Sequence, residues 1–288
     1  MAQGLIQSPV QDSVQNSVQS NKFTQKSPLK MQIVDSHCHI NFDELSKRMP
    51  EILENARLND VSHMLCVSVN LEDFPQVKQL ADDHPHIFAS IGVHPCYEDV
   101  KEPSVEELVS IAQDQNIVAI GETGLDYFRT EDQDMSWQRD RFVRHISAAK
   151  EVNKPLIIHT RSAADDTMRM LKEEGADQCR GVMHCFSEDW EVAKKALDLG
   201  FYISMSGIAT FKNATTVQEV ARKCPSDRLL VETDSPFLAP VPLRGKTNEP
   251  ANVRHTAQFI ADLRGIPLQE LAEFTTNNFF DLFPAQRV

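Results

Sequence analysis

From Met31 onward the chain alternates between two rhythms. Short apolar runs rich in β-branched residues fall at 33–34, 64–69, 87–93, 117–120, 156–158, 181–183, 201–204 and 229–231. Each is apolar throughout, as a strand covered on both faces must be. Between them lie longer segments whose apolar residues recur at helical spacing, at 44–59, 73–83, 105–113, 138–152, 165–174, 191–199 and 214–223. A further helix is expected over 251–263, ahead of "PLQELAEFTTNNFFDLF". Strands alternating with helices pair in parallel through right-handed crossovers. Eight such repeats in a domain of about 250 residues fit a closed α/β barrel, the (β/α)8 TIM barrel, better than an open doubly wound sheet. The open sheet would usually carry a glycine-rich turn after its first strand, and none is present.

Residues 1–30 follow neither rhythm. Eleven of these thirty are Gln or Ser, and "VQDSVQNSVQS" returns to Val-Gln every four positions. That period could stripe Val10, Val14 and Val18 along a weak helix, but so polar a stretch buries too little apolar surface to fold alone. The expected organisation is a disordered Gln/Ser-rich extension over 1–30 and one barrel domain over 31–288.

Composition narrows the classes further. A 41% hydrophobic content supports a sizeable core. No apolar run approaches the ~20 residues that span a bilayer, and no signal-peptide core is found. Cys38, Cys66, Cys96, Cys179, Cys185 and Cys224 are scattered without a C-x-x-C, the pattern of reduced thiols, so a cytoplasmic location is expected. The net charge of −13 argues against wholesale wrapping of nucleic acid but leaves room for a local cationic phosphate site.

In such a barrel the chemistry gathers at the C-terminal ends of the strands. "VDSHCHI" places His37 and His39 there, "AIGETGLDYF" Glu122, "PLIIHTR" His159, "GVMHCF" His184 and "LLVETDSPF" Asp234. Imidazoles with carboxylates suit borderline divalent ions. One ion could be met by His37, His39, Asp234 and one oxygen of Glu122, and a second by His159, His184 and the other oxygen. Two carboxylates against two divalent ions leave a positive balance for an anionic substrate. Ions about 3.5–4 Å apart activate water and hold the leaving oxygen of a phosphodiester, with Asp234 as general base beside its ligand role. A single strand-end histidine is more often a hydrogen-bonded structural residue than a ligand, but four of them with two acids on one rim are not a chance grouping. His63, His84, His86, His145 and His255 fall elsewhere and are expected at the surface. Alternation along a strand turns His37 and His39 one way and Cys38 the other, making the thiol a packed residue. Asp35 and Glu232 share the ligands' parity and are expected to orient them. "RGKT" at 244–247 lacks the upstream glycine of a phosphate-binding loop, and neither G-x-S-x-G nor H-E-x-x-H occurs.

Together with "SIGVHP", "YISMSGIATFKNA" and "LLVETDSPFLAPVPLRGKTNEP", these motifs resemble those of the TatD-type metal-dependent deoxyribonucleases of the amidohydrolase superfamily, over about residues 31–283. The resemblance implies a TIM barrel and a divalent metal centre, with two ions (Mg, Mn or Zn) expected on the six ligands above. It also implies hydrolysis of DNA, commonly from the 3′ end of single strands, with Glu122 and Asp234 as catalytic residues. It adds His94, Arg161, Arg244 and Lys246 as substrate contacts. DNA ends are then the expected partner, with no membrane and a monomeric or weakly oligomeric state. The alternative on the same centre is an ester or amide hydrolase, such as a D-aminoacyl-tRNA deacylase.

Overall fold

The structure, a computed structural model, describes Met1, Ala2, Gly4 and residues 31–128 and 134–287. The extension expected over 1–30 falls almost wholly outside the described residues. From Met31 the chain is one compact unit. Its strands are β1 (Ile33–Cys38), β2 (Val61–Cys66), β3 (Ile87–Ile91), β4 (Ile117–Asp126), β5 (Leu156–Arg161), β6 (Gly181–Met183), β7 (Tyr202–Met205) and β8 (Leu229–Val231). The helices are α1 (Asp43–Ser46), α2 (Met49–Leu58), α3 (Phe74–Asp83), α4 (Val105–Ile111), α5 (Ser136–Val152), α6 (Ala164–Glu173), α7 (Trp190–Asp198), α8 (Thr215–Lys223), α9 (Val253–Arg264) and α10 (Leu268–Leu282).

All eight strands pair in parallel and in sequence order, which is the (β/α)8 barrel. The ring closes at its C-terminal rim, where the His39 N–H donates to Ser235 O at 2.8 Å and the Asp234 N–H donates to His37 O at 2.9 Å. The residues expected as ligands on β1 and after β8 therefore also form the closing seam.

Two departures from the sequence pattern have local causes. The single helix expected over 44–59 is two, α1 and α2, because Pro50 cannot donate in a helix interior and sits instead in the first turn of a new helix. Strands β1, β4 and β5 run further than their apolar cores, so His37, Glu122 and His159 lie within strands rather than beyond them. Polar residues hold strand geometry there because the barrel mouth supplies them with polar partners.

The barrel's interior below the rim is apolar. Val34, Leu65, Val67, Phe88, Val118, Ile157, Val182, Tyr202 and Leu230 pack together, and α10 brings Phe279, Leu282 and Phe283 across the N-terminal mouth. His63 belongs to this end. It is 2% exposed, stacked on Phe88 and edge-on to Phe280, so the surface position expected for it is wrong; burial pushes its imidazole down to about 4. A second apolar layer joins the outer strand faces to the helices and includes Cys38, whose thiol donates to Leu65 O at 3.4 Å. No described helix is long and apolar enough to cross a membrane.

Candidate metal centre

Four side-chain atoms from three strand ends meet at the rim. His37 Nε2 lies 3.2 Å from His39 Nε2, 3.3 Å from Glu122 Oε2 and 3.7 Å from Asp234 Oδ1. His39 Nε2 lies 3.8 Å from Glu122 Oε2 and 3.5 Å from Asp234 Oδ1. Ligands bound at about 2.0–2.2 Å to a tetrahedral ion stand roughly 3.3–3.6 Å apart, so this set fits a divalent cation. The other oxygen of Glu122 faces a different set: His184 Nε2 at 2.8 Å, His159 Nδ1 at 3.2 Å and His94 Nε2 at 3.3 Å. Glu122 thus offers one oxygen to each of two imidazole groups.

Hydrogen bonds behind the rings decide which nitrogens carry lone pairs. His39 Nδ1 faces Val67 O at 3.0 Å, and a carbonyl accepts, so that nitrogen holds the hydrogen and Nε2 is free to ligate. His159 Nε2 likewise donates to Asp126 Oδ2 at 2.9 Å, freeing Nδ1. His184 Nδ1 donates to Glu232 Oε1 at 3.2 Å, freeing Nε2. His94 is the opposite case. Its Nδ1 accepts the Cys96 N–H at 3.0 Å, so Nε2 keeps the hydrogen. His94 therefore meets the centre as a donor, not as a ligand.

Burial and charge fit a cation. Glu122 is 2% exposed; burial alone would raise its pKa, but the His184, His94 and His37 imidazoles hold it well below the usual carboxylate range. Burial would strip the proton from His184, yet Glu122 and Glu232 outweigh it and hold that imidazole well above the histidine range, so a bound cation would take the place of the proton between His184 Nε2 and Glu122. Two buried atoms without hydrogen-bond partners also lie here, His37 Nδ1 and Glu232 Oε2. Such atoms are costly unless something further is bound. Asp126 and Glu232 add two carboxylates behind the rings, so the formal positive balance expected from Glu122 and Asp234 alone is cancelled. Phosphate attraction then rests on donors around the centre.

Backbone geometry aims these groups. The β4–β5 register slips by one residue between Ile120 and Thr123, where the Gly121–Glu122 peptide is cis. A Cβ on Gly92 would lie 2.5 Å from the Gly121 carbonyl carbon, so only glycine lets β3 approach this bend. Strand β1 slips as well, between Asp35 and Cys38. That bulge overturns the parity argument for Asp35, whose carboxylate accepts the Thr233 N–H at 2.8 Å and the Thr233 hydroxyl at 2.6 Å. It ties β1 to the segment after β8 rather than orienting a histidine ring.

Of the expected substrate contacts, His94 and Arg161 line the cleft above the centre, which has a volume of about 550 Å³. The Arg161 guanidinium stacks 3.7 Å over Phe128. Arg244 and Lys246 are exposed and do not line the cleft; Arg244 stacks 4.0 Å over Phe211. The sequence reading passed over Asp126 and, on α5, Gln138 and Arg141, and it placed a third α5 residue, His145, at the surface. Gln138 accepts the Asp126 N–H at 2.9 Å and donates to Pro95 O at 3.0 Å. Arg141 donates to His94 O at 2.8 Å, and His145 Nε2 accepts the Val93 N–H at 3.0 Å. Helix α5 thus holds the backbone that presents both His94 and Asp126. His145 is fully buried, contrary to the surface position expected, and burial pushes it down to about 4. The available signals were the parity of Asp126 with Glu122 and the i, i+3, i+7 spacing of the three α5 residues.

The model of the TatD-related DNase family matches residues 34–284. The chain belongs to that family. It is 47% identical over 257 residues to the Escherichia coli metal-dependent hydrolase YcfH, covering 88% of this chain and 96% of that one. It is 38% identical over 252 residues to the Bacillus subtilis metal-dependent hydrolase YabD, covering 87% and 98%. The crystal structure of the Escherichia coli TatD homologue YjjV superposes with a TM-score of 0.83 at 28% identity, over 88% of this chain and 98% of that one. Like YcfH and YabD, the TatD-family protein described here is a metal-dependent hydrolase, with candidate His and Glu groups for the metal.

Proposed function

We propose that this hydrolase is a deoxyribonuclease that removes nucleotides from the 3′ ends of single-stranded DNA. The observation that carries the reading is the placement of Glu122 between two sets of imidazoles, the arrangement a pair of divalent ions requires. His37, His39, Asp234 and Glu122 Oε2 would hold one ion, and His159, His184 and Glu122 Oε1 the other, with Mg, Mn or Zn as the candidates. Bound there, such ions act as Lewis acids on the phosphodiester and make water a nucleophile at neutral pH.

The chain's own groups do the rest. A carboxylate oxygen of Asp234 takes the proton of the attacking water, since of the two carboxylates lining the cleft it is the more exposed, at 15% against 3% for Glu122. The His94 Nε2–H and the Arg161 guanidinium donate to non-bridging phosphate oxygens from the opposite side. Asp126 and Glu232 hold His159 and His184 in the tautomers that face the centre. An end-binding mode reconciles the acidic surface with an anionic substrate, because only a few phosphates enter. The family name supports DNA as substrate, and six unpaired cysteines support a reducing, cytoplasmic compartment.

The purified protein with Mg²⁺ or Mn²⁺ is expected to shorten a labelled single-stranded oligonucleotide from its 3′ end. Chelator and Glu122→Ala should each abolish this. Digestion indifferent to both would overturn the proposal. Turnover of aryl esters or aminoacyl-tRNA in place of the oligonucleotide would transfer the centre to ester or amide hydrolysis.

A further inference from the structure

The cleft has two unlike walls, contributed by opposite arcs of the barrel. Phe42 after β1, Ile208 after β7, and Phe237 and Leu238 after β8 make one side. His94, Cys96 and Tyr97 after β3, with Thr160 and Arg161 at the end of β5, make the other. The first wall is apolar and offers no side-chain hydrogen bond. The second carries the His94 donor and the Arg161 cation. A ligand matched to both would be amphipathic, with a flat apolar face on one side and an anionic group on the other.

Phe237 is the centre of the apolar wall. It is 52% exposed, yet its backbone is pinned on both sides. Its N–H donates to Asp234 O at 2.9 Å, and its carbonyl accepts from Asn248 Nδ2 at 2.7 Å. Asn248 is fully buried and also donates to Thr233 O at 3.0 Å, while its own N–H donates to Pro236 O at 3.0 Å. The phenyl thus projects from an anchored backbone. It stands edge-on to Phe42, with ring centroids 6.2 Å apart, and Phe42 in turn stacks on His39 at 5.0 Å. Ile208 is locked beside them, because Gly207 brings its backbone against Leu238 O, which a Cβ would approach to 2.0 Å. The exposed aromatic surface therefore stands on a fixed backbone, adjacent to the candidate ligands His39 and Asp234, and continuous with the cleft.

We propose that this wall is a stacking site for the terminal nucleobase of a single strand, with Phe237 as the platform and the phosphate turned toward His94 and Arg161. The inference rests on the nuclease reading and deepens it. Every base has a π-face, and aromatic stacking of one base contributes about 1–3 kcal/mol without reading sequence. A wall lacking donors and acceptors gives no preference among bases. The site selects for the presence of an unpaired base, which double-stranded ends lack.

The test compares wild type, Phe237→Ala and Phe237→Trp on single-stranded oligonucleotides whose ends carry either natural or abasic residues, with Mn²⁺ present. On natural ends, Phe237→Ala is expected to raise KM about 10- to 100-fold, from the stacking contribution of one base. Phe237→Trp should restore wild-type KM. The two losses should not add: once the base is removed, wild type binds as weakly as the alanine variant, and the substitution has little further effect. Equal KM for Phe237→Ala and wild type on natural ends overturns the stacking site while leaving the nuclease intact. So does a loss that is the same on natural and abasic ends, which marks a structural fault in the loop. Failure of wild type to digest any oligonucleotide overturns the nuclease reading itself, and the stacking site with it.

Discussion

The two mouths of the barrel are built on opposite principles. At the N-terminal mouth, α10 seals the interior with Phe279, Leu282 and Phe283, and polar groups there are paired, as Tyr202 is with Asp281 at 2.5 Å. At the C-terminal rim the side chains are polar and range from fully buried to partly exposed, and His37 Nδ1 and Glu232 Oε2 lack partners. The first arrangement maximises burial of apolar surface. The second holds unsatisfied groups in place, a cost in stability that a bound cation would offset. Apolar packing belongs to one end and the candidate chemistry to the other, a division general to this fold.

The contrast can be broken from either side. Phe279→Ala opens a cavity in the sealed mouth and should cost about 3–5 kcal/mol in denaturant unfolding, with activity per folded molecule retained. Loss of activity without loss of stability would show that the two ends are not separable. His145 lies between them in character, buried and fully hydrogen-bonded. Its folded pKa is depressed to about 4 by burial, below the 6.5 of a free imidazole. The unfolded chain therefore binds the extra proton first, and the stability His145 contributes is present above pH ~6.5 and lost as pH falls toward ~4, by about 3 kcal/mol. Unfolding curves across that window should be shallower in pH for His145→Gln than for wild type; parallel curves would show that another group governs it.

Smaller effects sharpen the picture of the rim. Asp126→Ala leaves His159 without the carboxylate that fixes its tautomer, and should lower metal affinity or activity about 10–100-fold with the fold intact. Wild-type metal affinity in that variant would mean that Asp126 is a strand-pairing residue only. Lys246→Ala, outside the cleft, is expected to change stability by less than about 0.5 kcal/mol and to leave KM for oligonucleotides unchanged. A raised KM would return that loop to the substrate path.

How far the sequence could be read depended on how local each feature is. Eight apolar runs at helical separations were enough for the barrel, because parallel strands covered on both faces leave few other arrangements. The histidines and acids at the strand ends were legible for the same reason: the fold fixes the rim, and the rim fixes the candidates. Asp35 shows where this stops. Its parity with His37 holds only for a regular strand, and the β1 bulge turns its carboxylate to Thr233 instead. His63 and His145 were misplaced because helical or strand-start position says nothing of what lies across from it.

What the sequence by itself determined is the architecture and the set of groups at its mouth, since both follow from periodicity and from residue types that few other sites need. What only the tertiary structure decided is the role of each group. His94 and His184 both turn Nε2 toward the same oxygen of Glu122, yet Nδ1 accepts a hydrogen bond in one and donates in the other. The difference lies in a single partner behind each ring, the Cys96 N–H for His94 and the Glu232 carboxylate for His184. Those partners are brought there by folding, from two residues away in one case and forty-eight in the other.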